Sequence, residues 1–201
     1  MPDPSIDEMV REVWNKQKIR EVITNYCRGV DRMDRELLMS CYHPDAIDDH
    51  GFFVGVREDF WDWVNHYHNN AQSAHQHIIT NHTCELDGDT AHTETYWLMA
   101  GMDAKDHSLS LGGGRYIDRL EKRDGEWRIA ARKCVAEWGG APTASKVAPE
   151  MMAMLRESGV VARDRSDSSY ERPLAIPGQR LGINIDILPA GYGPERTQNA
   201  H

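Results

Sequence analysis

Two Asp-Gly pairs, Asp87-Gly88 and Asp124-Gly125, punctuate the stretch from His75 to Trp138. Flanked by strand-like residues, such pairs are strong hairpin signals, because two-residue hairpin loops need positive backbone φ angles that glycine and aspartate tolerate. With a further turn around Asp103 to Asp106, they divide the stretch into an antiparallel meander of roughly four strands, each longer than the usual length of about five or six residues. Strands that long must twist and curl.

Upstream, the apolar period is that of a helix. Ile6, Met9, Val10, Val13, Ile19, Val22, Ile23, Tyr26 and Val30 recur at three and four, with Asp7 and Glu8 near the favourable N-terminal dipole, which predicts one long helix from Ile6 to Val30. Asp34 is an N-cap for a short helix from Arg35 to Cys41, which Pro44 stops. A third helix runs from Glu58 to Asn69, carrying Phe60, Trp61, Trp63, Val64 and Tyr67, and "AIDDHGFFVG" between them reads as a strand pair turned near His50-Gly51. Helices first and a curled sheet afterwards is α+β, most simply a sheet wrapped around a pocket that the helices close. After Gly139 the composition shifts to glycine, proline and charge. One helix is expected there, from Pro149 to Arg156, and residues 139–201 read as an arm, partly extended or disordered, over the pocket mouth or a neighbouring subunit.

At 201 residues the chain has room for one domain plus this periphery. No run approaches the roughly 18 consecutive apolar residues of a membrane span, and the first residues lack the basic start and apolar core of a secretory signal, so a cytoplasmic protein is expected. A net charge of −9 opposes nonspecific binding to nucleic acid or to an anionic membrane. Small neutral or apolar partners are more natural. Cys27, Cys41, Cys84 and Cys134 form no CxxC pair and read as reduced core thiols.

"AHQHIITNH", residues 74–82, holds three of the ten histidines. On a strand, His75, His77, Ile79 and Asn81 share one face, and Gln76, Ile78, Thr80 and His82 the other. A His-x-His pair can grip a metal but needs a third ligand, and no Glu follows nearby, so no metal site is expected. His66, His68, His82 and His92 read as solvated, and His77 needs a partner to be more than that. Asp31, where the first helix ends, is a carboxylate that the helix dipole disfavours by about 0.3–1 kcal/mol; it points into water, caps the next turn, or is paired. Tyr26 lies about 140° round the helix from it, so the two share a pocket only if the helix unwinds near Gly29, and Tyr26 alone is a core residue. In "WRIAARKCVAEW", Arg132 lies in the row Arg128, Ala130, Cys134, Ala136 and Trp138, opposite Trp127, Ile129 and Val135. It either snorkels to the rim or is paired inside. "GGGR", residues 112–115, lacks the lysine and helix of a phosphate loop and reads as a strand thinned for curvature.

Taken in order, "VITNYCRGVDRMDRELLMSCYHPDA", a helix with a tryptophan pair, "HQHIITNHTCELDGDTAHTETYW" and "GGGRYIDRLEKRDGEWRIAARKCVAEW" resemble the SnoaL-like branch of the NTF2-like superfamily over residues 6–138. That branch includes scytalone dehydratase, a hexachlorocyclohexane dehydrochlorinase and a bile-acid 7α-dehydratase. The resemblance implies a cone-shaped, strongly curved mixed sheet closed by three helices, an α+β barrel. It implies a dyad of Asp31, in "GVD", with His77, in "HIITN", supported by Tyr26 and Arg132 at the positions similar to those of the bile-acid enzyme, with His75, His50 and Trp97 as substrate contacts. The expected activity is that of a lyase or isomerase working on a cyclic hydrophobic molecule without metal or organic cofactor. The same cone also serves non-catalytic ligand binders and the structural small subunits of ring-hydroxylating dioxygenases, so fold alone does not decide. Apolar residues on both faces of the last strand imply that the outer face is an oligomer interface, in a homotrimer by resemblance to the dehydratases, or in a dimer.

Overall fold

A computed structural model describes residues 3–142 and 160–173. The chain divides into two units, residues 1–144 and 145–201. Helix α1 spans Ile6–Asp31. A capping box starts it: the Glu8 carboxylate accepts from the Ser5 N–H at 2.8 Å while the Ser5 hydroxyl accepts from the Glu8 N–H at 3.3 Å. The apolar period runs the whole length, but burial does not. Ile6, Met9, Val10, Val13 and Trp14 are exposed, and the core residues are Ile19, Ile23, Tyr26, Cys27 and Val30.

Asp34 caps helix α2, Arg35–Ser40, by accepting from the Leu37 N–H at 3.1 Å. At Gly29 the two helices meet backbone to backbone, since a Cβ there would lie 2.9 Å from the Leu38 nitrogen and 3.0 Å from its Cα. Gly29→Ala is therefore expected to destabilise the protein by about 1–3 kcal/mol through overpacking, although alanine is the better helix former by about 1 kcal/mol. Urea denaturation of the two proteins measures it, and an unchanged midpoint would mean that α2 shifts at no cost. Helix α3, Arg57–Ala71, buries Phe60, Val64 and His68 at a spacing of four.

The strands are β1 (Tyr42–Asp49), β2 (Val54–Val56), β3 (Gln72–Asp87), β4 (Thr90–Asp103), β5 (Leu109–Arg123) and β6 (Glu126–Gly140). They form one six-stranded sheet in the order β2-β1-β6-β5-β4-β3. Every pairing is antiparallel except β1 with β6. The α+β class and the curved mixed sheet are as expected, and the sheet is open, with β2 and β3 as its edges. The Asp-Gly pairs both mark hairpins, of different kinds. Asp124 and Gly125 each have positive φ, the I′ pattern, whereas the first hairpin places Gly88 at the first central position with Asp87 still in the strand, the II′ pattern.

Of the β-bulges in β3 and β6, two decide which residues near the middle of the sheet face inward. On β3, Ile79 pairs with Trp97 and His82 with Thr95, three steps against two, so His82 returns to the face of His75 and His77 while Thr80 and Asn81 are both exposed. On β6, Ile129 pairs with Leu120 and Ala131 with Arg119, leaving Ala130 as the extra residue. Trp127 and Ile129 thus share the inner face with Arg132 and Cys134, which corrects the two-face assignment made from strict alternation. The inner face packs on the helices through Ala91, Trp97, Tyr116, Leu120, Trp127 and Ile129. The outer face leaves Ile78, Tyr96, Leu98, Leu111 and Trp138 exposed. Among the described residues no helix is long and apolar enough to cross a membrane.

In the second unit, residues 160–173 form a turn closed by its own polar groups. The Asp167 carboxylate accepts from the Ala162 N–H at 2.9 Å, the Ser168 hydroxyl accepts from the Val160 N–H at 2.7 Å, and a short 3-10 helix covers Ser168–Tyr170. The helix expected from Pro149 to Arg156 lies outside the described residues, as does most of the expected arm.

Candidate active site

Asp31 is the last residue of α1. Its carboxylate is held from β3, accepting from the His77 backbone N–H at 3.0 and 3.1 Å and from the His77 ring Nδ1 at 2.7 Å. These donors offset the unfavourable place of an anion at a helix C-terminus. Because a carboxylate only accepts, Nδ1 carries the proton and Nε2 is the nitrogen left for other chemistry. His75 Nε2 lies 3.3 Å from the Val30 carbonyl and 3.7 Å from Asp31 Oδ1. The Asp31 and His77 side chains are 12% and 11% exposed, whereas the His75 side chain is fully buried.

Helix α3 closes this corner. His68, four residues beyond Val64 on the buried stripe, stacks on His75 with ring centroids 3.9 Å apart and donates from Nδ1 to Gln72 Oε1 at 2.6 Å. It is a buried residue, not the solvated one expected. His82 also departs from expectation, since the bulge turns it inward, where Nδ1 meets the Thr95 hydroxyl at 2.8 Å.

Burial, with Arg20 nearby, pushes the His82 imidazole below its ordinary 6.5. The sign follows from linkage: below pH 6.5 the unfolded chain binds a proton at this site that the folded one resists, so stability falls as pH drops through that window. Denaturant titrations at pH 7.5 and pH 5.5 should show His82→Asn losing less stability on acidification than the parent. Equal losses would remove His82 from the acid response.

A second polar group lies on the same inner face. The Tyr26 hydroxyl is 3.2 Å from His50 Nε2, His50 Nδ1 contacts Asp48 Oδ1, and the Tyr42 hydroxyl donates to Asp48 Oδ2 at 2.6 Å. α1 remains helical through Gly29, so Tyr26 and Asp31 turn to different partners, His50 and His77. Arg132 is paired inside, donating to both oxygens of Asp118 at 2.6 and 2.7 Å with neither side chain exposed. Its guanidinium packs over the rings of Tyr26 and Tyr116, 4.0 and 4.2 Å from their centroids. Trp97 stacks on Tyr116 and lies across Gly114, where a Cβ would come within 2.9 Å of the indole. The glycine run makes room for aromatic rings as well as for bending.

Burial pushes the hydroxyls of Tyr26, Tyr42 and Tyr116 well above their ordinary range, so they are neutral donors at neutral pH. Burial likewise pushes the Cys27, Cys41 and Cys134 thiols up to about 12. Burial works against the Arg132 charge, and the Asp118 carboxylate more than restores it. Asp48, Tyr42, Asp118 and His68 were not singled out from the sequence. Asp118 could have been, as a carboxylate between Tyr116 and Leu120 on one strand face. The third ligand that the His-x-His pair lacked also exists in the fold: Asp31, His75 and His77 offer ligand atoms within 4.8 Å of one another.

Several solved structures share this fold. Hexachlorocyclohexane dehydrochlorinase LinA-type3 from Novosphingobium barchaimii aligns over 70% of this chain and 98% of its own, with 20% identity and a TM-score of 0.64. A candidate scytalone dehydratase from Novosphingobium aromaticivorans aligns over 69% and 94%, with 16% identity and a TM-score of 0.60. Rv3472, a protein of unknown function from Mycobacterium tuberculosis, is 27% identical over 64% of this chain and 75% of its own, with a TM-score of 0.56. No curated protein sequence matches the chain. The family model of the SnoaL-like domain matches residues 11–133, from the first turns of α1 to the middle of β6, and the chain belongs to that family.

Proposed function

We propose that the protein is a cofactor-independent lyase of dehydratase type, or an isomerase, acting on a cyclic, mostly hydrophobic small molecule. The observation that carries this reading is the Asp31–His77 pair, with Nδ1 fixed on the carboxylate at 2.7 Å. Asp31 sets the ring's tautomer and orientation, and His77 Nε2 removes a proton from a carbon made acidic by a neighbouring carbonyl or leaving group. Family membership supports it, as do fold neighbours named as a dehydrochlorinase and a dehydratase. Tyr26 supplies a neutral donor, and Arg132, sealed behind its ring, positions it rather than touching the substrate. The ligand lies between α3 and the inner face, against Trp97. The exposed outer face, with Ile78, Leu98 and Trp138, forms a homo-oligomer interface, in a trimer.

Incubation with a panel of hydroxylated steroids and aromatic ketols, read by mass for loss of one water, tests the reading. Turnover by the parent, absent in His77→Asn and unchanged by a chelator, is the expected result. Turnover that the chelator abolishes would instead make Asp31, His75 and His77 a metal centre. Purification in fixed stoichiometry with an iron-sulfur large subunit would make the chain a structural subunit.

A further inference from the structure

The fold builds the same device twice. Asp31 holds His77 through Nδ1, and Asp48 holds His50 through Nδ1. Asp48 is fully buried, and its second oxygen is taken by the Tyr42 hydroxyl. No lysine or arginine among the described residues forms an ion pair with it, so its ionic contact is the His50 ring. A buried carboxylate supported in this way is costly unless the imidazole it faces is charged or donates to it. On the other side of the ring, Nε2 meets the Tyr26 hydroxyl. Tyr26 is 1% exposed and Asp48 not at all, whereas 13% of the His50 side chain is reached by solvent, so His50 presents the group outward.

One helix connects the two devices. Phe60 and Trp63 of α3 lie 4.9 and 5.8 Å from the His50 ring, Trp63 stacks on Tyr67 at 6.0 Å, Tyr67 meets His68 at 5.1 Å, and His68 stands 5.8 Å from His77. From residue 60 to residue 68 the helix rises about 12 Å. A continuous chain of ring contacts therefore links one carboxylate-held histidine to the other, over a rise comparable to the length of a fused-ring skeleton.

We infer that His50 is a second proton-transferring residue, which contacts and protonates an oxygen of a fused-ring alcohol or ketone while His77 works on a C–H bond. This rests on the lyase reading and extends it to the other end of the ligand. In the elimination, His77 Nε2 takes the ring proton and the C–H electron pair becomes the new π bond. The C–O bond breaks with its pair on oxygen, which takes the proton of the doubly protonated His50, directly or through the Tyr26 hydroxyl, and leaves as water. Both histidines then exchange protons with solvent, so no further reactant is needed. Asp48 is the positioning residue for His50, and Tyr26 is the neutral donor that relays its proton on the second route. A leaving hydroxyl needs this proton and a leaving halide does not, so the device fits dehydration better than dehydrohalogenation.

Equilibrium dialysis of the full chain against 1-tetralone and against tetralin, the same skeleton without oxygen, tests the oxygen contact. The parent should bind the ketone about tenfold more tightly, the worth of one good hydrogen bond. His77→Asn should keep that preference, His50→Leu should lose it, and His50→Gln, which retains a donor, should keep most of it. Deuterium uptake at the carbon beside the carbonyl then separates contact from proton transfer: His50→Gln should slow it about tenfold or more despite retained binding. Equal binding of the two probes by the parent, no binding of either, or a preference that survives in His50→Leu overturns the proposal. Should His50→Leu not fold, Tyr26→Phe decides, and an undiminished preference there overturns it as well. Failure of the lyase reading looks different: uptake that persists in His77→Asn, with the ketone preference still dependent on His50.

Discussion

Replacing His77 with asparagine is expected to lower turnover by about 10²- to 10⁴-fold, the usual worth of a positioned general base, with little change in stability. The backbone N–H of residue 77 still reaches the Asp31 carboxylate in the variant, so α1 stays anchored to β3. Only the proton acceptor is lost. Asp31→Asn should cost activity by a different route. Its amide offers one accepting oxygen where the carboxylate offers two, and its NH₂ group opposes either the backbone N–H or the ring Nδ1–H, so the imidazole loses its fixed tautomer. Steady-state rates on any substrate found, together with urea midpoints, separate the two. A His77→Asn enzyme within about threefold of the parent would remove the dyad from the chemistry.

The largest effect on stability should come from a pair that does not face the ligand. Asp118→Asn leaves the Arg132 guanidinium buried over two phenol rings without its counter-charge, and breaking a buried pair in this way costs about 3–5 kcal/mol. Arg132→Met should cost a similar amount by stranding the carboxylate. Removing both, in Arg132→Met with Asp118→Leu, should recover most of the loss, because the desolvation penalty goes with the charges. Guanidinium denaturation of the three variants forms a double-mutant cycle whose coupling measures the pair. Additive losses would mean that the two charges do not act together.

The helices and the four long strands were legible because each rests on a local pattern: a period of 3.6, an N-cap at Asp34, and turns at Gly88 and Asp124-Gly125. The parallel pairing of β1 with β6 has no such signature, since it joins residues more than eighty positions apart without a hairpin. Asp31 stood out as a carboxylate at a helix C-terminus, and family resemblance joined it to His77 as a dyad; their approach depends on a contact between distant residues, at the end of α1 and in β3. Strict alternation misplaced His82 and Arg132 for one reason: a bulge adds a residue without leaving a compositional mark. His68 looked solvated within a histidine- and asparagine-rich run, although its spacing of four from Val64 and eight from Phe60 already put it on the buried stripe.

The bulges at Thr80–Asn81 and Ala130 also make these strands unequally tolerant of changes in length. Removing Asn81 would still leave Ile79 opposite Trp97 and His82 opposite Thr95, and removing Ala130 would leave Arg119 opposite Ala131 and Leu120 opposite Ile129. At those two points a single-codon deletion straightens the ribbon and leaves every side chain on its own side. Where the pairing along β3 or β6 is regular, the same deletion turns half a strand inside out. These two joints are places where the curvature of this scaffold can be retuned, by evolution or by design, without reassigning a single inward residue.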